Sequence, residues 1–210
     1  MMIMKFFLPF LLVLAVVMAE GGDAMAIEEA KYTVVVREGK FEVRDYAAHI
    51  LAETVVKGDL EGAGSVAFNK LFQYISGNNQ TNAKVNMTSP VSQAPDGEKI
   101  DMTAPVSQKA FQDKWVVSFM MPASYTMESL PRPLNSKVTL REVPERRMAT
   151  VRYSGFWSEE GYLQNISELK LWIERAGLSI IGEPLWARYN SPFSLWFLRR
   201  NEILIPVAVE

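Results

Sequence analysis

The chain has 210 residues, of which 49% are hydrophobic and 22% charged, and its formal net charge is −2 at pH 7. This composition is typical of one globular domain with a substantial core, and the charge gives no electrostatic reason to bind nucleic acid or an anionic membrane. The absence of cysteine excludes thiol enzymes, iron–sulfur proteins and lipoproteins anchored through cysteine.

The N-terminal segment has the pattern of a secretory signal peptide. Lys5 precedes an unbroken apolar run over residues 6–19, and Ala24 and Ala26 form an A-x-A site. A spanning helix needs roughly 20 apolar residues, so cleavage after Ala26 is favoured over a retained membrane anchor. The sequence therefore predicts a signal peptide over 1–26, a single mature domain over 27–210, and a periplasmic or secreted location.

The first half of the mature chain reads as β-rich with one helix. Residues 32–56 indicate strands around a turn at Gly39, and residues 59–76 have helical apolar spacing that Gly77 ends. Further strands are predicted through residues 85–108 and again over residues 114–122.

A near-repeat lies within this half. The sequence VNMTSPVSQ at residues 85–93 returns as IDMTAPVSQ at residues 100–108, with six of nine positions identical. Because Pro95-Asp96-Gly97 is strong turn chemistry, the two copies are predicted to pair as an antiparallel hairpin. Met87 and Met102 would then project from the same face, either as core packing or as the wall of an apolar ligand groove.

The second half repeats the order of the first. After a proline-rich connector over residues 129–136, residues 137–156 read as strand–turn–strand. Ser158 then caps a helix that ends at Gly177, and two strands close the chain. The predicted fold is therefore α+β, with two pseudo-symmetric ββαββ-type halves over residues 31–127 and 137–210 and two helices flanking curved antiparallel sheet.

Four separated motifs resemble those of the SOUL haem-binding protein family. They are the doubled MTSPVSQ/MTAPVSQ, SFMMPASYTMESLPRP, LREVPERRMATVRYSGFW and SPFSLWFLRRNEILIPV. The resemblance spans roughly residues 32 to 207. It implies a twisted β-barrel-like fold and non-covalent binding of haem or another tetrapyrrole in an apolar groove beside the first helix. It carries over no axial ligand, because members of the family do not share one.

Candidate ligand contacts follow from the residues themselves. On the first helix, an i, i+3, i+4, i+7 stripe offers an apolar face with a cation at its edge, suited to a porphyrin with anionic propionates; it consists of Ala67, Lys70, Leu71 and Tyr74. The alternative is that Leu71 and Tyr74 simply pack on the sheet. Met87 and Met102 are further candidates. The aromatic loop before the last strand resembles the family's groove-side segment, which implies Tyr189 and Phe193 as contacts, and Arg199 could meet carboxylates.

Two titratable residues stand apart. His49 is the sequence's only histidine and a possible axial haem ligand, although a lone strand histidine is more often a packed or surface residue. Glu202 opens an otherwise apolar strand, where a carboxylate should be paired with arginine or tyrosine. The alternative function is a small-molecule hydrolase similar to effector-binding domains, with Glu202 as acid or base.

Overall fold

The computed structural model describes residues 27–81 and 97–208. The first half of the described chain contains one helix and eight strands: β1 (Glu28–Glu29), β2 (Tyr32–Glu38), β3 (Phe41–Tyr46), β4 (His49–Lys57), α1 (Leu60–Ile75), β5 (Asn79–Gln80), β6 (Thr103–Ala104), β7 (Val106–Phe111) and β8 (Lys114–Met120). The predicted turn between the first strands is confirmed, and Gly39 takes a positive φ of 58° there.

The second half contains the other helix and the remaining strands: β9 (Arg132–Pro133), β10 (Val138–Val143), β11 (Arg146–Tyr153), α2 (Glu159–Arg175), β12 (Ser179–Ile180), β13 (Leu185–Arg188), a 3-10 helix (Trp196–Leu198) and β14 (Asn201–Ala208). The predicted signal peptide and Met87 lie outside the described residues.

One large antiparallel sheet organises the fold. Its strand order is β10-β4-β8-β7-β13-β14-β11-β3-β2, and β12 pairs with the far end of β14. Two small ladders join β1 to β6 in parallel and β5 to β9 in antiparallel orientation. Within the described part of the chain β10 and β2 form the edges, so the fold is α+β as predicted but the sheet is not a closed barrel.

Two short corners force this sheet to curl. Residues 47–48 connect β3 to β4, and residues 144–145 connect β10 to β11. In each case the joined strands lie near opposite ends of the strand order, β3 pairing with β11 and β4 with β10. Because two intervening residues leave the joined strand ends at most about 11 Å apart, the two ends of the sheet must approach one another.

The predicted hairpin between the two repeat copies is wrong where it can be examined. Residues Val106, Ser107 and Gln108 of the second copy pair with β8 on one side and with β13 on the other. Both edges of this part of β7 are therefore occupied, and the first copy cannot pair there. The first copy itself lies outside the described residues.

Both helices begin as predicted and pack on the same side of the sheet. Asp59 accepts a hydrogen bond from the Gly62 N–H at the start of α1, and Ser158 accepts one from the Gly161 N–H at the start of α2. The Gln108 side chain donates to the Leu60 carbonyl of α1, and Gln108 is paired with Trp186, which packs in the core cluster beneath α2. Paired residues share a face, which we call the helix face.

The core lies mainly between the helices and this face. Under α1 it contains Ala67, Leu71 and Tyr74, and under α2 it contains Leu169 and Trp172. A smaller cluster with Met148 and Leu204 lies on the opposite face. No helix among the described residues is long and apolar enough to cross a membrane.

Candidate functional site

A groove of about 480 Å³ lies on the helix face, between α1 and the loop that follows β13. Its floor is formed by side chains of β7, β8 and β13, which are Val106, Gln108, Val117 and Arg188. Met102 and Ile27 also line it. The volume falls within the range of about 300–1,000 Å³ that is usual for small-molecule sites.

Two phenylalanines of α1 form one wall of the groove. Phe68 and Phe72 line it and remain 36% and 48% exposed. One turn apart on the helix, their rings stack with centroids 5.8 Å apart, and Phe68 also meets the buried Phe119 edge-on at 5.2 Å. This wall is therefore a fixed aromatic surface that is not buried against the protein itself.

The stripe predicted from the sequence lies on a different face of α1. Ala67, Leu71 and Tyr74 are at most 1% exposed in the core, and the Tyr74 hydroxyl donates to the Pro131 carbonyl at 2.9 Å. Lys70 is half-buried and does not line the groove. The stripe packs on the sheet, which was the alternative considered, and the prediction that it lines the groove is corrected.

A guanidinium group forms part of the groove floor close to the helix backbone. Arg188 donates to the Gln108 side-chain oxygen at 3.3 Å and stacks 4.0 Å above the Trp186 ring. A Cβ added at Gly64 would come within 3.2 Å of Arg188 Nη1 and 3.3 Å of Gln108 Oε1. Glycine at position 64 thus lets these polar groups reach the groove.

Trp157, on the opposite side of the groove, holds a second cation close by. Trp157 lines the groove and lies between two guanidinium groups, with Arg188 at 4.9 Å and Arg199 at 4.6 Å from its ring centre. Its indole N–H donates to Asn201 at 2.9 Å, which fixes the ring. Arg199 therefore lies behind Trp157, close to the groove, but it does not line the groove.

Of the other two ligand contacts predicted in this loop, one lines the groove and one does not. Tyr189 lines the groove, as Met102 does, but its hydroxyl donates to Glu202 at 2.9 Å on the opposite face. Phe193 is 94% exposed and is not among the lining residues. Of the predicted contacts, the structure therefore brings Met102 and Tyr189 into the groove, with Arg199 directly behind it.

His49 lies away from the groove. It lines two other cavities, one of about 40 Å³ that it shares with Tyr189, and one of about 630 Å³ near Glu142. Its Nδ1 is 2.9 Å from the Ala47 carbonyl oxygen. Burial, together with the charges of Arg146 and Arg141, lowers the pKa of His49 despite this hydrogen bond.

Glu202 is fully buried on the opposite face and is paired, as predicted. Arg44 donates to both of its oxygens, at 2.7 and 3.2 Å, and Arg200 and Tyr189 donate at 2.9 Å each. Burial alone would raise the pKa of Glu202, but the hydrogen bonds and charges of Arg44 and Arg200 outweigh it and hold the pKa below its ordinary value. The carboxylate is therefore ionised and fully engaged.

Sequence reasoning missed the aromatic wall of Phe68 and Phe72 and the guanidinium of Arg188 in the floor, although one signal for the wall was available. The helix carries Phe68 and Phe72 at i, i+4 on a face other than the core stripe. A helix with a second apolar face has more apolar surface than one sheet can bury, which points to a ligand or partner. No group of three or more His, Asp or Glu side chains suited to a metal ion is found in residues 27–81 and 97–208.

Comparison with solved structures finds proteins of similar fold. The C-terminal domain of EcmrR is similar with a TM-score of 0.59 at 10% identity, covering 84% of this chain and 98% of that domain. A hydrolase from Listeria innocua is similar with a TM-score of 0.55 at 17% identity, covering 83% of this chain and 94% of that one. At these identities the similarity establishes the α+β fold alone.

Sequence comparison is more specific. Heme-binding protein 2 of Homo sapiens is 26% identical over 199 residues, covering 88% of this chain and 92% of that protein, and its Mus musculus counterpart is 25% identical over 198 residues. The model of the family described as SOUL heme-binding protein matches residues 27–206. This chain therefore belongs to the SOUL haem-binding protein family.

Proposed function

We propose that this protein binds haem or a related tetrapyrrole in the groove beside α1, without a covalent bond and without catalysing a reaction. The observation that carries the proposal is the composition of the groove, with Phe68 and Phe72 on one wall and the guanidinium of Arg188 in the floor. A porphyrin has apolar faces and two anionic propionates, so it matches both features. Family membership supports haem as the ligand.

The residues of the groove suggest how such a ligand would be held. The aromatic wall and the two valines of the floor bury apolar macrocycle surface, which is worth roughly 25 cal/mol per Å² before association costs. Arg188 and Arg199 supply positive charge for the propionates. Haem supplies an iron centre when bound, and the Met102 thioether is the candidate donor that lines this groove.

Charge favours the groove over the larger cavity near His49. Three carboxylates line that cavity, Glu28, Glu29 and Glu142, against the single ammonium of Lys31. Burial lowers the pKa of His49, so its imidazole adds no compensating charge at neutral pH. The lining of that cavity is therefore less suited to an anionic porphyrin than the groove, which the guanidinium of Arg188 lines.

The geometry around Glu202 supports a non-catalytic role over the hydrolase alternative. Three side chains already donate to its carboxylate, and the adjoining cavity of about 40 Å³ is far below the size of a small-molecule site. An acid or base for hydrolysis needs a free oxygen within reach of substrate and a pKa near the working pH. Glu202 has neither feature.

A haem titration followed by the Soret band tests the proposal. We expect the chain starting at Ile27 to bind with a dissociation constant in about the micromolar range. His49→Ala should weaken binding less than about tenfold, because His49 lines other cavities and most affinity comes from apolar burial. Absence of a Soret shift in the wild type would refute the function, and loss of the shift in His49→Ala alone would refute the site.

We also propose that the protein is exported and that residues 1–26 are removed. The support is the cationic start, the apolar run and the A-x-A site. The match to the family model begins directly after this segment, at residue 27. Protein recovered from the periplasm should have the intact mass of a chain starting at Ile27. A mass that retains Met1 would contradict the proposal.

We further propose that the two halves are related by a pseudo-twofold axis between β7 and β13. The support is the order of the eight strands from β10 to β3, which reads the same from both ends when β3, β4, β7 and β8 are exchanged with β10, β11, β13 and β14; the edge strand β2 has no counterpart in it. Under that exchange α1 corresponds to α2. The groove then lies beside the axis, at the junction of the halves.

A further inference from the structure

A second apolar surface, distinct from the groove, protrudes from the loop between β13 and β14. Five large side chains of this loop and Phe156, from the connection between β11 and α2, are between 48% and 94% exposed. We call these six residues the aromatic patch: Phe156, Phe193, Leu195, Trp196, Phe197 and Leu198. Scattered exposed apolar residues are ordinary, but a contiguous cluster of this size marks an interaction surface.

The loop that carries the patch is held rigidly with these side chains outward. Arg199 donates to the Pro192 and Ser194 carbonyl oxygens at 2.7 and 2.9 Å, and the Leu198 N–H donates to the Leu195 carbonyl at 3.0 Å. The Gly155 N–H donates to the Trp196 carbonyl at 3.1 Å. Since these backbone groups are already bonded within the protein, the loop can enter an apolar medium without stranding them.

The patch adjoins the mouth of the groove. Pro192 lines the groove and immediately precedes Phe193, while Trp157 lines it and follows Phe156, whose ring stacks on Trp196 at 5.2 Å. A surface that covers the patch would therefore also lie against the entrance to the groove.

The described part of the chain begins at the same groove. Ile27 lines the groove, and the residues after it are fixed, because Glu29 pairs with Arg200 at 2.8 Å and Glu28 accepts a hydrogen bond from the Ala123 N–H at 3.0 Å. The sequence before Ile27 includes the apolar run of residues 6–19.

We propose that the aromatic patch docks on the surface of a lipid bilayer and turns the mouth of the groove toward the lipid. Residues 191–198 contain no charged side chain and are followed by Arg199 and Arg200. Tryptophan and phenylalanine insert at the bilayer interface, and an uncharged segment that carries them can enter it without burying a charge. An apolar ligand could then pass between membrane and groove, a consequence that rests on the proposed function, whereas the docking does not.

Co-sedimentation with phosphatidylcholine vesicles tests the docking. The chain starting at Ile27 contains every residue of the four core clusters and lacks the apolar run, so it isolates the patch. We expect it to sediment with vesicles, and Phe193→Ser with Phe197→Ser to reduce partitioning by about tenfold or more. Because the attraction is apolar, raising salt from about 0.1 to 0.5 M should change it little.

The matched control is Leu163→Ser with Leu171→Ser, two leucines of α2 that are 53% and 60% exposed outside the patch. This variant should sediment like the wild type. Equal losses in both variants, or no sedimentation of the wild type, would overturn the proposal. A wild-type dimer that the patch variant abolishes would assign the patch to self-association instead. Vesicle binding by a protein that gives no Soret shift would refute haem binding and leave the docking intact.

Discussion

Replacing Phe72 with aspartate is expected to weaken haem binding by about 10- to 100-fold, as judged by Soret titration. The change removes a ring that lines the groove and stacks on Phe68, and it places a carboxylate where we propose that the apolar macrocycle and its propionates bind. Because Phe72 is 48% exposed, the fold should tolerate the change, and far-UV circular dichroism should match the wild type.

A matched control is available on the other helix. Leu171 is 60% exposed on α2, so Leu171→Asp introduces the same charge on a similar helical surface away from the groove. It should leave the haem affinity unchanged. Equal affinities for Phe72→Asp and the wild type would place the ligand elsewhere. Leu71→Asp is no substitute, because Leu71 is fully buried in the core and the variant should fail to fold.

Replacing Glu202 with glutamine is expected to lower the free energy of unfolding by about 3 kcal/mol, measured by urea denaturation near neutral pH. The substitution removes the main counter-charge of Arg44, which is 3% exposed and retains only Glu42 at 2.6 Å. Asp45→Asn is the control, because it breaks a pair with Arg147 that is only partly buried and should cost far less. Haem affinity should stay close to that of the wild type.

The effect of this substitution should depend on pH. The pKa of Glu202 is held below its ordinary value in the folded protein, so the stability it contributes is fully present above the unfolded pKa of about 4.3 and is lost as pH falls through the folded pKa. The difference between wild type and Glu202→Gln should therefore shrink as the pH is lowered below about 4.3. A difference that stays constant from pH 6 into this range would contradict the ion-pair explanation.

The elements that sequence predicted well are those specified locally. The bounds of α2 follow from its Ser158 cap and the glycine after it, and the turn at Gly39 follows from the need for a positive φ. Each signal lies within a few residues of the structure that it specifies. The pairing of Glu202 was equally predictable, since a buried carboxylate requires partners, although which arginines would supply them was not.

The groove was harder to locate because core and ligand surfaces use the same residue types. Ala67, Leu71 and Tyr74 have the spacing of an apolar ligand face, but they pack on β4 and β8. The face that remains for a ligand is set by where α1 meets the sheet, which is a long-range property. The repeat led to a wrong hairpin for a related reason. Two similar strands close in sequence are most simply predicted to pair with each other, whereas β7 pairs with β8 and with β13, which is distant in sequence.

The two corners at residues 47–48 and 144–145 make the halves interdependent. Each corner sends one strand of a half into the other half's portion of the sheet, so β3 lies beside β11 and β10 lies beside β4. Neither half can complete its own sheet in isolation, and folding must wait for contacts between distant parts of the chain. A chain cut in the proline-rich connector should remain assembled as two interlocked fragments, while either fragment expressed alone should be insoluble.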